Sequence, residues 1–404
     1  MTGADRLISD TVPRTVTLIV LDESGGLLGE LPAFDVSLPY WPETAEIVAA
    51  ARERYGLDLA VLRLLKAPGD VAEGGHVTYL GQLLSPAAGA PWTPTEVDLS
   101  HHPLRAPYAH AGGPARSLAW AARALDERGR GPVTAAIQQR TWNLSTLWRL
   151  DTPTGPYWLK QVPDFFAHEP VVLTWAAGSG RATPLLVAED ARMLLAHVDG
   201  DDLYGAGVEV RRDIAADLHY LQVAAIDSVP HLLADGVPDR RRPRLEGYLR
   251  GVIEEYGGGD VSLRALAAGL PDRLDRIEAC RLPDTLVHGD LHPGNVIGGD
   301  RRTIIDWGDS FIGHPGFDVL RLTEVMPAGE AEVVIEDWAA RWRAEIPGSD
   351  PHGALELLRP VAALRMAAVY ADFLAGIEPA EHPYHAGDVA TWLRRAVELY
   401  EEER

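Results

Sequence analysis

Apolar runs and one helical repeat organise the first hundred residues. Three runs have the length and β-branched content of buried strands: residues 15–22, 61–65 and 76–84. Between the first two runs, apolar residues recur at helical spacing: Ile47, Val48, Ala51 and Tyr55. Gly56 follows this repeat as a helix stop. Strands grouped around one helix predict a small α/β domain over residues 1–105.

A stretch rich in Pro, Gly and Ala, residues 85–115, has little periodicity and predicts a long ordered loop leading into a linker. We expect residues 106–130 to form this linker with a short helix. The stretch separates the N-terminal domain from the remainder of the chain.

Strand-like stretches return after residue 130. Residues 131–200 contain five of them, with a turn at 153–156 and a helix beginning near Glu169. Beyond Gly200 the apolar spacing is mainly helical. A strand-rich lobe over 131–200 followed by a helical lobe over 201–404 predicts an α+β, bilobal fold.

Composition narrows the classes of partner. The chain is 46% hydrophobic and 24% charged, as in soluble globular proteins, and its apolar runs are too short to span a membrane. A net charge of −22 disfavours nucleic acid, whose phosphates bind basic surfaces. The lone Cys280 excludes an internal disulfide, and the N-terminus does not have the pattern of a secretory signal. We therefore expect a cytoplasmic protein with neither a nucleic-acid nor a membrane partner.

The strongest chemical signal is LVHGDLHPGNVI (286–297), followed by TIIDWGDS (303–310). Asp290 follows a glycine, Asn295 comes five residues later, and Asp306 eleven residues after that. Protein kinases use this order of Asp, Asn and Asp. One carboxylate orients the attacking hydroxyl, while the amide and the second carboxylate offer the oxygen ligands that Mg²⁺ prefers. A loop built only from turn-forming residues is the structural alternative, but it does not explain the second aspartate at its distance.

These residues resemble the aminoglycoside phosphotransferase and choline-kinase-like enzymes, which are small-molecule relatives of protein kinases. The resemblance covers residues 130–404 in the order of elements and is sharp over 288–318. It implies that Asp290 is the catalytic base and that Asn295 and Asp306 bind Mg²⁺. It also implies that His288 is a structural partner of the catalytic loop and that Asp318, in GHPGFDV, braces the same loop.

A lysine in the small lobe completes the implied nucleotide site. The chain has only two lysines, Lys66 and Lys160, among 37 basic residues, and Lys160 lies on the third predicted strand of this lobe. In such kinases a strand lysine contacts the donor phosphates and is held by a helix glutamate. Glu169, nine residues on, is the predicted partner, although an acid at a helix start is also favoured by the helix dipole alone. Its neighbour His168 is expected to be exposed.

Other positions are assigned by their place in the kinase order. Residues 138–146 occupy the place of the phosphate-covering loop but lack its glycines, so Ser145 and Thr146 are candidates for phosphate contacts. The inter-lobe hinge is expected at 193–203, with backbone groups near Ala196 and Val198 at the purine base. Asp309 is expected to be an exposed acid, and Trp142 and Trp148 to serve in packing.

The N-terminal region has a second resemblance. LPAFDVSLPYWPETAEIVAAARERYGLDL (31–59) resembles the Nudix pattern. An active Nudix helix needs clustered glutamates for Mg²⁺. Only Glu53 falls on an acidic position. Arg54 replaces the adjacent acid, and Ala49 and Ala50 stand where the pattern has Arg and Glu. The resemblance implies a degenerate domain that serves packing or substrate sensing.

The sequence thus predicts a small-molecule kinase that moves the γ-phosphoryl of ATP or GTP to a hydroxyl, with Mg²⁺ as cofactor. The acceptor is open among aminoglycoside-like antibiotics, amino alcohols and sugars, and so is the oligomeric state. A nucleotide-binding pseudokinase is the alternative, and a Nudix hydrolase with an auxiliary kinase-like lobe is a third hypothesis.

Overall fold

The computed structural model describes residues 13–69, 72–87 and 89–403. The chain forms a mixed sheet, then an antiparallel sheet, then a largely helical region. In these described ranges, no helix combines the length and apolar character needed to cross a membrane.

The N-terminal sheet has five strands and one helix on the chain path: β1 Arg14–Leu21, β2 Leu27–Glu30, β3 Phe34–Val36, α1 Ala45–Tyr55, β4 Leu59–Lys66 and β5 Gly75–Leu83. The strand order is β2-β1-β5-β4, with β3 also on β1, and β1 runs parallel to β5. The helix ends where the sequence predicted, because Gly56 adopts a left-handed conformation (φ 68°). Glu53 is exposed on α1, and the Nudix resemblance of this region stays a prediction.

A helix and a second sheet follow: α2 Gly113–Glu127, β6 Ala135–Trp142, β7 Ser145–Thr152, β8 Gly155–Gln161, α3 Glu169–Trp175, β9 Leu185–Glu189 and β10 Arg192–Ala196. The sheet order is β6-β7-β8-β10-β9, so the third strand, β8, is central. At 15 residues, α2 is longer than the short helix expected in the linker. The proposed domain boundaries themselves remain a prediction.

The remainder is mostly helical. Its elements are β11 Asp201–Asp202, α4 Val208–Ala225, α5 Val229–Ala234, α6 Arg244–Tyr256, α7 Val261–Ala279, β12 Thr285–Val287, β13 Val296–Gly298, β14 Arg302–Ile304, β15 Phe311–Gly313, α8 Gly316–Thr323, α9 Ala328–Glu345, α10 Pro351–Gly376 and α11 Asp388–Glu402. One hydrophobic core joins these helices to the underside of the second sheet. Short strand pairs, β12 with β15 and β13 with β14, hold the loops that carry the motif residues.

Candidate active site

The loop between β12 and β13 carries the HGD motif, and buried contacts fix its backbone. Nε2 of His288 donates to the Ile305 carbonyl (3.0 Å), and its Nδ1 accepts from the Asp290 amide (3.3 Å). Gly289 has φ 86°, and a Cβ there would lie 2.2 Å from the Asp309 carbonyl oxygen. Glycine is therefore required where this loop passes the segment after β14.

Asp318 lies beneath this loop, near the start of α8. Its two carboxylate oxygens accept from the amides of His288 and Gly289, both at 2.9 Å, and one also accepts from Gln222 Nε2 at 3.0 Å. The side chain is almost completely buried. These bonds hold two consecutive amides in place, which is the bracing position expected for Asp318.

Asp290 faces a set of donors. Arg321 Nε donates to its Oδ1 at 2.8 Å, and Asn295 Nδ2 donates to its backbone carbonyl at 3.0 Å. His292 Nε2 lies 3.6 Å from its other carboxylate oxygen. Burial disfavours the charged form, but the guanidinium of Arg321 outweighs it and lowers the pKa of Asp290. The carboxylate is therefore ionised at neutral pH.

Lys160, on the central strand β8, bridges two carboxylates. Its Nζ donates to Glu169 Oε1 at 2.7 Å and to Asp306 Oδ1 at 2.6 Å. Trp307 N also donates to Glu169 Oε1 at 3.2 Å, which ties α3 to the segment after β14. Burial opposes the lysine charge, but Asp306 and Glu169 outweigh it and raise the pKa of Lys160. The pKa of Asp306 is lowered against burial by the same ammonium group.

Comparison with protein families identifies the family of this chain. The model of the phosphotransferase enzyme family matches residues 138–357, more than half of the chain. The chain belongs to the phosphotransferase enzyme family. The prediction of a small-molecule kinase is thereby confirmed at the level of this family.

One solved structure supports the fold, and a second shows a weaker likeness. A macrolide 2'-phosphotransferase from Brachybacterium faecium is 18% identical, with a TM-score of 0.50 over 66% of this chain and 96% of that one. Choline kinase LicA from Streptococcus pneumoniae is 13% identical, with a TM-score of 0.49 over 64% of this chain and 90% of that one. No curated protein matches the sequence. The predicted α+β bilobal fold is confirmed.

Asn295 and Asp306, which the family resemblance assigned to Mg²⁺, offer oxygen atoms that suit this cation. Asn295 uses its amide nitrogen on Asp290, which leaves its Oδ1 for a cation. The backbone carbonyl of the same residue accepts from the Ile305 amide at 2.9 Å, and so brings Asp306 beside it. The side chain of Asp306 is 50% exposed, with only Oδ1 on the lysine. Two oxygen ligands fit Mg²⁺, which keeps several waters and binds substrate phosphates. No cluster of three acidic, His or Cys metal ligands occurs in the described residues.

Asp306 adopts a left-handed backbone conformation that the sequence pattern does not predict. Its φ of 63° and ψ of 64° lie in the left-handed region, which aspartate tolerates better than most residues. Hydrogen bonds on both sides of Asp306 fix its backbone. The Ile305 amide donates to the Asn295 carbonyl, and the Trp307 amide donates to Glu169 Oε1. The constraint directs the carboxylate toward Lys160.

The turn after β6 is closed against the helical lobe. Asn143 Nδ2 donates to His385 Nε2 at 2.9 Å, and both side chains are buried. Ser145 Oγ accepts from Trp142 Nε1 at 3.3 Å and the residue is half-buried, whereas Thr146 is buried and donates to the Arg140 carbonyl at 3.3 Å. Ser145 therefore fits a phosphate contact better than Thr146 does, and its role stays a proposal.

The predicted hinge, residues 193–203, begins within β10 and continues past its end. The amide of Ala196 donates to the Pro184 carbonyl at 2.9 Å, and Val198 lies just past the strand, half-buried. Gly200 has φ 121°, and a Cβ there would lie 2.0 Å from the Gly298 carbonyl oxygen. This close approach brings the hinge against β13, next to the catalytic loop. The purine contacts assigned to Ala196 and Val198 remain predictions.

Two sequence-based expectations are wrong. His168 is buried rather than exposed, and burial lowers its pKa to about 4. Asp309 is half-buried rather than exposed, because the segment after β14 folds back over Arg365 and the catalytic loop. Burial and the nearby Asp290 raise the pKa of Asp309. Trp148 is buried in the core, as expected for a packing role.

Sequence reasoning missed Arg321 and His292, which contact the Asp290 carboxylate. Arg321 lies on α8 one turn after Asp318, so the helix that braces the loop also presents the guanidinium. The i, i+3 spacing from Asp318 was the available signal. His292 belongs to the motif itself, and its Nδ1 accepts from the Gly294 amide at 3.1 Å.

Proposed function

We propose that this phosphotransferase moves the γ-phosphoryl of ATP or GTP to a hydroxyl of a small molecule, with Asp290 as the base. The observation that carries the proposal is the convergence of two loops and one strand on one cleft. The side chain of Asn295 donates to the Asp290 carbonyl, and the Asn295 carbonyl accepts from the Ile305 amide next to Asp306. Lys160 on β8 donates to the Asp306 carboxylate from the sheet on the opposite side of the cleft.

Asp290 acts mainly by orientation. Its low pKa makes it a weak base in the ground state, so it holds the hydroxyl by a hydrogen bond and accepts the proton as the transfer proceeds. The acceptor oxygen forms a bond to the γ-phosphorus, the bond from that phosphorus to the bridging oxygen breaks, and the nucleoside diphosphate leaves. Arg321 holds Oδ1 at 2.8 Å, whereas Oδ2 has only a long bond from Asn295 Nδ2 at 3.4 Å and can accept from the acceptor hydroxyl.

Lys160 binds the donor phosphates, and Glu169 keeps its ammonium group in place. Once phosphates enter, the lysine exchanges its bond to Asp306 for phosphate oxygens, which frees that carboxylate for the cation. Mg²⁺ bound to Asn295 and Asp306 would neutralise charge on the transferring phosphoryl group. Ser145, Ala196 and Val198 complete the proposed nucleotide contacts.

The test is release of nucleoside diphosphate from ATP and GTP with a panel of acceptors: kanamycin, a macrolide, choline, ethanolamine and glucose. We expect acceptor-dependent release in the presence of Mg²⁺. Asp290→Asn should lower kcat by about 10²–10⁴-fold with nucleotide affinity unchanged, because it removes proton acceptance and not phosphate binding. Asp300→Asn, an exposed aspartate in the β13–β14 turn, is the matched control.

Two outcomes contradict the proposal. Wild-type turnover in Asp290→Asn would exclude this residue as the base. Tight nucleotide binding by the wild-type protein without transfer to any acceptor would favour the pseudokinase alternative.

A further inference from the structure

A cavity of about 250 Å³ opens beside Asp290, and its walls come from distant parts of the chain. One wall is the catalytic segment with Asp290 and Asp309, and another is formed by α10 and the segment leading into α11. The other walls are the turn after β6, through Trp142 and Leu144, and the N-terminal domain, through Tyr40, Pro42 and Glu73. A larger neighbouring cavity, of about 330 Å³, is lined by Gly289 but not by Asp290. The smaller cavity is therefore the one open to the proposed base.

The N-terminal wall is joined to the small lobe by main-chain bonds. The amide of Thr44 donates to the Gln139 carbonyl, and the amide of Thr141 donates to the Pro42 carbonyl, both at 3.0 Å. Between these bonds, Arg140 and Glu43 form an ion pair at 2.6 Å. The segment 42–44 thus continues the edge of β6, next to the turn at Asn143.

Buried contacts fix the same segment within its own domain. Arg14, fully buried, donates to the carbonyls of Trp41 (3.2 Å) and Glu43 (2.8 Å). Trp41 Nε1 donates to the Gly74 carbonyl at 2.9 Å, and an antiparallel bridge pairs Tyr40 with Glu73. The three wall residues therefore keep a fixed position relative to the cavity.

The domain is also anchored to the helical lobe. Arg105 forms a bidentate pair with Glu378 (2.7–3.2 Å), and Arg63 lies 3.2 Å from the same carboxylate. The ring of Trp41 packs edge-on against Tyr384, with centroids 6.0 Å apart. The N-terminal domain thus contacts both lobes around the acceptor end of the cleft.

The cavity has the chemistry of a cation site. Its described lining includes four carboxylates and no Arg or Lys: Glu73, Asp290, Asp309 and Asp388. Aromatic rings surround them, a combination that attracts organic cations. The Tyr384 ring lines the cavity, and its buried hydroxyl has no hydrogen-bond partner among the described residues.

We propose that the N-terminal domain forms one wall of the acceptor site, and that Tyr40, Pro42 and Glu73 select an acceptor that carries a positive charge. This assignment rests on the proposed function, in which Asp290 orients the hydroxyl of the acceptor. The acceptor places its hydroxyl at Asp290 and its cationic group between Glu73 and the aromatic rings. A domain outside the matched family region would then determine specificity.

The kinetic test uses the compound of the acceptor panel with the fastest diphosphate release. Glu73→Gln and Tyr40→Ala should each raise the KM for that acceptor at least about tenfold and leave the KM for the nucleotide unchanged. Glu53→Gln, on the exposed helix α1 of the same domain, should change neither constant. Unchanged acceptor KM in both wall variants would overturn the proposal.

A second arm needs no turnover and so separates the wall from the function. In a Cys280→Ala background, Tyr40→Cys is labelled with a trimethylammonium-bearing methanethiosulfonate or its sulfonate counterpart. We expect the ratio of cationic to anionic labelling rates to exceed that of Glu53→Cys at least about fivefold. Equal ratios of labelling rates in the two variants would overturn the proposal that this wall attracts cations. A raised ratio at Tyr40→Cys without phosphoryl transfer to any compound of the panel would count against the proposed function alone.

Discussion

At the scale of single residues, one ammonium group is shared by two carboxylates. Lys160 Nζ lies 2.7 Å from Glu169 and 2.6 Å from Asp306, and Lys160 and Glu169 are themselves buried. A lysine has three donors around one small centre, whereas an arginine is a planar fork of greater width. This geometry favours a lysine at this position in a chain that has 35 arginines and only two lysines.

Lys160→Arg is therefore not a conservative change here. We expect the KM for the nucleotide to rise at least about tenfold, because the guanidinium cannot occupy the space between the two carboxylates. The other lysine, Lys66, is exposed on β4, and Lys66→Arg is the matched control. Equal nucleotide KM values in the two variants would argue against a phosphate-binding role for Lys160.

At the scale of elements, the loop proposed to be catalytic is a tightly packed connection between β12 and β13. Asp318 binds two of its amides, and Gly289 passes so close to the Asp309 carbonyl that a side chain does not fit. The loop thus depends on α8 below it and on the segment after β14 beside it. Local turn propensity alone does not maintain this shape.

Gly289→Ala should lower the free energy of unfolding by about 1–3 kcal/mol, because it combines a positive φ with a backbone clash. Gly247→Ala provides the contrast. This glycine lies inside α6 with open space around it, and alanine there should stabilise the protein by about 0.5–1 kcal/mol. Chemical denaturation of both variants measures the difference, and a stability loss in Gly247→Ala equal to that in Gly289→Ala would contradict the clash.

At the scale of the whole molecule, the N-terminal domain and the helical lobe meet through buried charges. Glu381 lies beside Glu378, and both are buried under Arg63 and Arg105. Burial, and then the Glu378 charge, raise the pKa of Glu381 to about 8. The protonated form therefore stabilises the folded state below pH 4.5, and this contribution is lost as the pH rises toward 8.

Glu381→Gln imitates the protonated form at every pH. We expect the variant to have a higher Tm than the wild type at pH 8 and a similar Tm at pH 5. Thermal unfolding from pH 5 to 8 gives the comparison, with Glu53→Gln as the surface control. Parallel pH profiles of variant and wild type would show that Glu381 is ionised throughout.

Much of the fold could be read from the sequence because its signals are local. The five strands of the second sheet, the end of α1 at Gly56 and the position of Lys160 on the third strand follow from periodicity and turn residues. The order Asp290, Asn295 and Asp306 carries its chemistry in its spacing. The burial of His168 and Asp309 could not be read in this way, because it depends on segments that fold back from elsewhere in the chain.

The sequence by itself determined the family, the identity of the acid, amide and lysine groups, and the alternation of sheet and helix. These features are local, since neighbouring residues encode them through spacing and backbone preference. Only the tertiary structure decided that Arg321 pairs with Asp290. It also decided that Tyr40, 250 residues before Asp290 in the sequence, lines the same cavity as Asp290. Contacts of that separation leave no periodic signal, because they arise from the packing of whole elements.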